Sequence, residues 1–357
     1  MTRADATSPA VEPDAGAALA VTAWERLCLR LARSDVPPTA VVRLKRQRHA
    51  WHKSAVYWLD GVGDGGEPVV GKRCLRVTAR VEREVYEKVL PRIPIRQLKY
   101  YGCVEEEQGP FAWLFMEEAP SGKPTMADRG IIASWLARLH GSAAQVTAED
   151  SLSLPDHGPD GYLRRLPAAR AAVVAEREAV AGAGLDGRVL GTMADLLDRL
   201  ESRWDQVAAA CAAWPRTIVH TDFTRKNVRL FRSDTGTDVI ALDWEAAGWG
   251  PPAADLAAVP WGRSRDRKRG APAGADHETP WSGPVSLDAY ASTAATYWPG
   301  IGRDDVERIS RVGAVFRVID ATRWASQNIE FGGFHKGLGH IRAYVDDLMP
   351  NLAALGL

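Results

Sequence analysis

The sequence predicts an α+β fold with a small β-rich N-terminal lobe and a larger helical C-terminal lobe. Three observations predict it. Short apolar runs separated by turn residues occupy the stretch from Ala40 to Met116. From Pro120 onward the texture changes to Ala, Leu, Arg and Glu at helical period. Three short apolar runs, Thr217 to Val219, Val228 to Phe231 and Val239 to Leu242, then flank a polar stretch, as small strands do when they pin a loop. The expected division is a disordered tail over 1–18, an N-terminal lobe over 19–118 and a C-terminal lobe over 119–357.

Taken in order, Val21 to Leu31 carries Val21, Trp24, Leu27, Cys28 and Leu31 at helical spacing and reads as a short amphipathic helix. Ala40 to Leu44, Ser54 to Leu59 and Glu67 to Leu75 read as strands. The glycine-rich run Asp60 to Gly66 between the last two suits a hairpin turn. Val77 to Leu90 reads as a helix stopped by Pro91, and Tyr100 to Val104 and Phe111 to Met116 as two more strands joined by an acidic turn. Beyond them Ile131 to Leu139 is strongly helical. Asp160 to Ala213 is helical with a break at Gly182 to Gly187, and helices over Ala314 to Glu330 and Ile341 to Leu355 close the chain. Gly262 to Pro284 is polar and Gly/Pro rich and reads as a mobile loop that closes over an acceptor.

The bulk numbers exclude more than they identify. In 357 residues the 46% hydrophobic share supplies a core for one large or two ordinary domains. Lys plus Arg and Asp plus Glu are both 45, giving zero formal charge, which argues against a nucleic-acid partner. The four cysteines are scattered without a C-x-x-C pair, as free thiols in a reducing compartment are. Residues 1–18 do not read as a signal peptide, and no apolar run reaches the roughly 20 residues needed to span a bilayer. A cytoplasmic protein with no membrane partner, monomeric or homodimeric, is expected.

The chemistry concentrates in His220-Thr221-Asp222-Phe223-Thr224-Arg225-Lys226-Asn227 and in Leu242-Asp243-Trp244-Glu245. An H-x-D-x-x-x-x-N run followed by an Asp at a strand end matches the spacing used to move a phosphoryl group from a nucleotide. Asp222 is the candidate base, accepting the proton of an attacking hydroxyl. Asn227 and Asp243 offer the hard oxygen donors that magnesium prefers. Lys72, inside a strand, is the candidate contact to nucleotide phosphates. The helix that follows supplies its carboxylate partner: Glu84 is expected, and Glu82 and Glu87 are the alternatives if the register differs. His220 reads as a structural hydrogen-bonding residue, and Asp255 as a brace for the loop or a helix cap.

On these residues the chain resembles the aminoglycoside phosphotransferase family within the protein-kinase-like superfamily. Gly248, Gly250 and Pro251, Leu136-Ala137-Arg138-Leu139-His140 and the stretch Phe115 to Gly122 extend the resemblance, which covers Val41 to the C-terminus. It implies a bilobal protein-kinase-like fold and magnesium-dependent transfer of the γ-phosphate of ATP or GTP to a small-molecule hydroxyl. It also implies that the purine is held by the backbone around Glu117 to Ala119. Two departures stand out. Position 221 is Thr where relatives often carry Gly. The segment Arg46 to Lys53, which should cover the phosphates, is basic and has no glycine, so Ser54 and this stretch are expected to contact phosphate through side chains.

The acceptor is less legible. The acids of the last helices are balanced by arginines, which is a poor trap for a polycation, and thirteen tryptophans offer faces for ring stacking if they are not simply core. A sugar- or nucleoside-containing antibiotic or natural product fits best, with self-protection or biosynthesis as its setting; a metabolic sugar or amino-alcohol kinase is the alternative. A protein kinase would carry an A-P-E ending, which does not occur between Asp243 and Trp281. A nucleotide-binding scaffold without turnover would have lost Asp222, Asn227 or Asp243.

Overall fold

The computed structural model describes residues 15–33, 36–45, 54–144, 146, 153–234, 236–257, 285–330 and 333–357. The basic stretch at 46–53 and all of the predicted loop at 262–284 lie outside the described residues. The chain forms two compact units. One holds the described residues of 1–83 with 98–119, the other 84–97 with 120–357.

The first unit is a five-stranded antiparallel sheet with a helix packed on one face. Helix α1 (Ala15–Arg30) begins six residues before the predicted start and takes in four residues of the expected tail. Strands β1 (Val41–Lys45), β2 (Ser54–Leu59), β3 (Val69–Leu75), β4 (Tyr100–Glu105) and β5 (Phe111–Glu117) run in the order β1-β2-β3-β5-β4. The period-2 burial of β2 sends Ala55, Tyr57 and Leu59 to the face that α1 covers. There Trp24 meets Tyr101 and Phe115 edge-on, with ring centroids 5.6 and 5.2 Å apart. The glycine-rich run between β2 and β3 is the predicted hairpin connection. Gly61 and Gly66 adopt φ of 76° and 82°, which glycine enters without the Cβ clash. Helix α2 (Arg76–Glu84) follows β3, widens into a π turn at Val85–Val89 and stops at a tight turn containing Pro91.

The second unit is mainly helical. Its helices are α3 (Arg129–Ala143), α4 (Pro159–Gly182), α5 (Arg188–Ser202), α6 (Trp204–Cys211), α7 (Ala253–Leu256), α8 (Leu287–Ala294), α9 (Arg303–Glu330) and α10 (Phe334–Leu355). Two small antiparallel ribbons interrupt them. β6 (Thr217–Val219) pairs with β9 (Gly248–Gly250), and β7 (Val228–Ser233) with β8 (Gly236–Ala241). β9 has no apolar run and escapes a reading by pattern. Its glycines admit a second backbone: a Cβ on Gly250 would sit 2.4 Å from His157 O, and Trp249 N donates to Pro155 O at 2.8 Å.

Among the described residues most tryptophans are core. Trp24, Trp113, Trp135 and Trp244 are fully buried, Trp249 is buried, and Trp298 packs edge-on to Trp214. The buried ones are not stacking faces for an acceptor, and Trp261 and Trp281 lie outside the described residues. No helix among the described residues is long and apolar enough to cross a membrane.

Helix α9 rests directly on α7 at Gly313, where a Cβ would lie 1.8 Å from Ala253 O. Backbone cannot yield as a side-chain tip does. Gly313→Ala is expected to lower unfolding free energy by about 1–3 kcal/mol in urea titration, despite alanine's better helix propensity. A gain in stability would contradict this seating.

Candidate active site

In the first unit the site begins with β3. Lys72 lies opposite Val56 and Leu114, two residues along from the Ser54–Cys74 pair. Side chains alternate along a strand, so Lys72 and Ser54 share the face turned away from α1. Lys72 Nζ lies 2.7 Å from Glu82 Oε2, and these side chains are only 9% and 1% exposed. The partner is therefore Glu82 and not the expected Glu84, which binds Lys88 at 3.3 Å. The reason is helical phase: at 3.6 residues per turn, positions 82 and 84 point about 200° apart, so only one of them can face β3. Glu117 ends β5, and its N–H donates to Lys99 O at 2.8 Å; Ala119 is the last residue of the unit.

In the second unit the polar loop between β6 and β7 is assembled from hydrogen bonds that the sequence does not announce. Asp255, at the C-terminal end of the short α7, is 1% exposed. Its Oδ2 accepts from the His220 amide at 2.7 Å and its Oδ1 from the Thr221 amide at 2.6 Å. His140 Nε2 lies 3.2 Å from Oδ2, and the other ring nitrogen lies 2.9 Å from the Tyr290 hydroxyl. Burial drives the Tyr290 pKa well up, so its O–H donates to Nδ1 and the His140 Nε2–H is left for Asp255. Burial alone would raise the Asp255 carboxyl, but the His140 and backbone donors outweigh it and hold the group below the usual carboxylate range.

Thr221 sits at φ 61°, in the left-handed region that glycine prefers. Glycine would enter this conformation without the Cβ clash. Here the Thr221 hydroxyl donates to Ala246 O at 2.8 Å and ties the loop to the segment before β9. His220 is structural, as expected: its Nε2–H donates to Leu242 O at 2.8 Å, while the Leu242 amide donates to Asn227 O at 2.8 Å. Both backbone groups of the residue before Asp243 are thus clamped by the loop. Asp243 follows in a left-handed turn with φ 65°.

Asn227 brings the candidates together. Its Nδ2 donates to Asp222 O and to Asp222 Oδ2, each at 3.0 Å. Two acceptors around one amide nitrogen fix the orientation, so Asn227 Oδ1 is the atom left to bind a cation. Lys226 Nζ also reaches Asp222 Oδ2, at 2.7 Å, but this pair is largely exposed and contributes little to stability. A residue not weighed from the sequence joins them: Glu245 has a carboxylate oxygen within 4.8 Å of one on Asp243. Two carboxylates two residues apart in a left-handed turn were the available signal. The Asn227 amide oxygen and the Asp243 and Glu245 carboxylates are each hard donors of the kind that fits magnesium and suits a soft metal poorly.

A family model described as phosphotransferase enzyme family matches residues 11–290. The chain belongs to that family. It is an enzyme, a small-molecule phosphotransferase acting on hydroxyl groups. Solved structures share the fold. The GDP complex of wild-type aminoglycoside 2'-phosphotransferase-IIIa is 12% identical with a TM-score of 0.55, covering 90% of this chain and 96% of that one. A thermostable aminoglycoside phosphotransferase variant, in ternary complex with AMP-PNP and hygromycin B, is 15% identical with a TM-score of 0.52, covering 90% and 98%. Choline kinase from Cryptosporidium parvum Iowa II is 12% identical with a TM-score of 0.53, covering 88% and 91%. No curated protein matches the sequence.

The phosphotransferase loop thus hangs on a buried carboxylate whose folded pKa lies below its unfolded one. Its stabilisation is present above about pH 4, the ordinary carboxyl value, and is lost as pH falls through the folded value. Asp255→Asn is expected to cost about 3 kcal/mol at pH 7. The gap to wild type should narrow in denaturant titrations repeated below about pH 4. A gap independent of pH would show that the charge of Asp255 is not what holds the loop.

Proposed function

We propose that this phosphotransferase uses magnesium to move the γ-phosphoryl group of ATP or GTP to a hydroxyl of a sugar- or nucleoside-containing small molecule, in the cytoplasm. The observation that carries the reading is the Asn227 amide bound to both the carboxylate and the carbonyl of Asp222. It fixes the carboxylate on a rigid loop and leaves an amide oxygen over for a cation. Neighbours of this fold crystallised with GDP and AMP-PNP support a nucleotide donor.

Each residue has a place in this scheme. Asp222 accepts a hydrogen bond from the acceptor hydroxyl, orients its lone pair towards the phosphorus and takes the proton as the new P–O bond forms and the bond from the γ-phosphorus to the departing nucleoside diphosphate breaks. Lys72, set by Glu82, contacts nucleotide phosphate oxygens, with Ser54 on the same face. The backbone around Glu117 and Ala119 holds the purine. Asn227, Asp243 and Glu245 hold magnesium, which when bound neutralises phosphate charge. The lysine and the metal ligands leave the protein almost no covalent work: the rate comes from position and field.

The acids of α9 support an acceptor that is not a polycation. Glu307 is bound by Arg303 at 2.9 Å and Arg311 at 2.5 Å, Asp305 caps the Gly302 amide, and Asp320 lies 3.4 Å from Arg165. Such occupied carboxylates make a weak trap for an aminoglycoside.

The test is a panel of sugar, nucleoside and aminoglycoside compounds incubated with magnesium and ATP or GTP, read by mass spectrometry. One class should gain a single phosphate, a product missing when Asp222→Ala replaces wild type or magnesium is chelated. Product that persists in the Asp222→Ala protein would remove Asp222 from the role of base.

A further inference from the structure

Among the described residues three that are not glycine have a positive φ: Ala32, Thr221 and Asp243. Two of the three stand in the candidate site. Aspartate is one of the residues that enter the left-handed region readily, so Asp243 is unremarkable there. Thr221 is not. Its side chain branches at Cβ, and a branched residue at φ 61° is strained. Its backbone is nonetheless held in place, because its amide donates to the buried Asp255 Oδ1 at 2.6 Å. Glycine would meet the same demand without strain. What glycine lacks is the hydroxyl.

That hydroxyl donates to Ala246 O at 2.8 Å, and the bond is exposed to solvent. An exposed hydrogen bond replaces one to water and adds little net stability. Folding alone therefore does not explain a strained threonine at this position.

The bond has a larger effect on geometry. His220, the residue before, donates from Nε2 to Leu242 O at 2.8 Å, and Thr221 donates to Ala246 O. These two carbonyls lie on either side of the turn Asp243-Trp244-Glu245. Two consecutive residues of one loop thus clamp both ends of the turn that carries both candidate metal carboxylates. The middle of the turn is held as well: Trp244 is buried and packs on the His220 ring with centroids 4.6 Å apart. Asp243 and Glu245 flank it, partly exposed, with carboxylate oxygens within 4.8 Å of each other. Backbone strain that a fold retains is concentrated where placement matters more than stability. Metal ligands are such a place, since the partners that orient them govern affinity along with the ligands themselves.

We propose that Thr221 is a positioning residue for the magnesium site: its hydroxyl, bound to Ala246 O, fixes the far end of the Asp243–Glu245 turn and so sets how tightly the two carboxylates hold the cation. The inference rests on the reading of Asp243 and Glu245 as magnesium ligands, and deepens it. Asp222 follows Thr221 directly, so one strained residue joins the base to the metal turn.

The experiment measures AMP-PNP binding to the full chain by isothermal titration calorimetry, once with magnesium in excess and once in EDTA. The readout is the tightening that magnesium confers. Thr221→Gly and Thr221→Val should each lower that tightening about tenfold or more, the loss expected when a partner of a metal ligand is removed. Binding in EDTA should stay at the wild-type value. Thr221→Ser, which keeps the hydroxyl, should retain most of the tightening. A threonine that served folding alone would shift the urea midpoint and leave the magnesium effect intact. Full tightening in both Thr221→Gly and Thr221→Val overturns the proposal, as does a Thr221→Ser protein as deficient as Thr221→Gly. Should Thr221→Val not fold, Thr221→Gly carries the test, because glycine enters this backbone conformation without strain. Asp243→Asn tells the proposal from the reading beneath it. Tightening lost in Asp243→Asn but kept in Thr221→Gly defeats the role of Thr221 alone. Tightening kept in Asp243→Asn, or absent from wild type, defeats the metal reading and the proposal with it.

Discussion

The buried carboxylate of Asp255 is the constraint on which the functional loop depends. It accepts two backbone amides and an imidazole N–H while almost wholly removed from water. Satisfying both oxygens is what makes the burial tolerable. The consequence is positional. With the amides of His220 and Thr221 held, Thr221 takes its left-handed turn, His220 reaches Leu242 O, and the segment ending in Asp243 is drawn against Asn227. A short loop thereby gains the rigidity of a helix without being one. That is the preorganisation a phosphotransferase requires, because phosphoryl transfer is governed by placement more than by covalent help.

The same economy explains the small ribbons of the second unit. β6 enters the loop, β7 leaves it, and β8 delivers Leu242 and Asp243 to its edge. The glycines of β9 serve the same end, since they let the 155–158 backbone lie directly on that strand and close the layer behind it. On the helical side, Gly313 allows α9 to sit on the helix that bears Asp255. Contacts remote from Asp222 therefore decide where it stands. In the first unit the Lys72–Glu82 pair is buried and set by strand and helix phase in the same manner.

Much of this was legible in the sequence, for physical reasons. Strands with strict alternation, such as Ser54 to Leu59, declared themselves with their ends intact, because one face is buried and the other is not. The loop was legible because its chemistry demands particular side chains at fixed spacing. What escaped depended on phase or on partners distant in sequence. Choosing Glu82 over the expected Glu84 required the helix start to within a residue, and a slip of two residues turns a side chain to the opposite face. His140 was visible only as part of a family-like run, and its purpose emerges when Asp255, 115 residues later, is found beside it. Trp244 and Trp249, offered among the ring-stacking faces, proved to be buried, since composition cannot distinguish a buried indole from an exposed one.

The central claim is that a braced loop presents Asp222 as the base without that residue contributing to nucleotide affinity. The most direct measurement pairs the single-turnover rate of phosphoryl transfer with the AMP-PNP dissociation constant, for wild type and for Asp222→Asn. The account predicts a rate lower by about 10²–10⁴-fold with nucleotide affinity little changed. A variant that transfers phosphate at the wild-type rate, or one that loses affinity and rate in equal proportion, would contradict it.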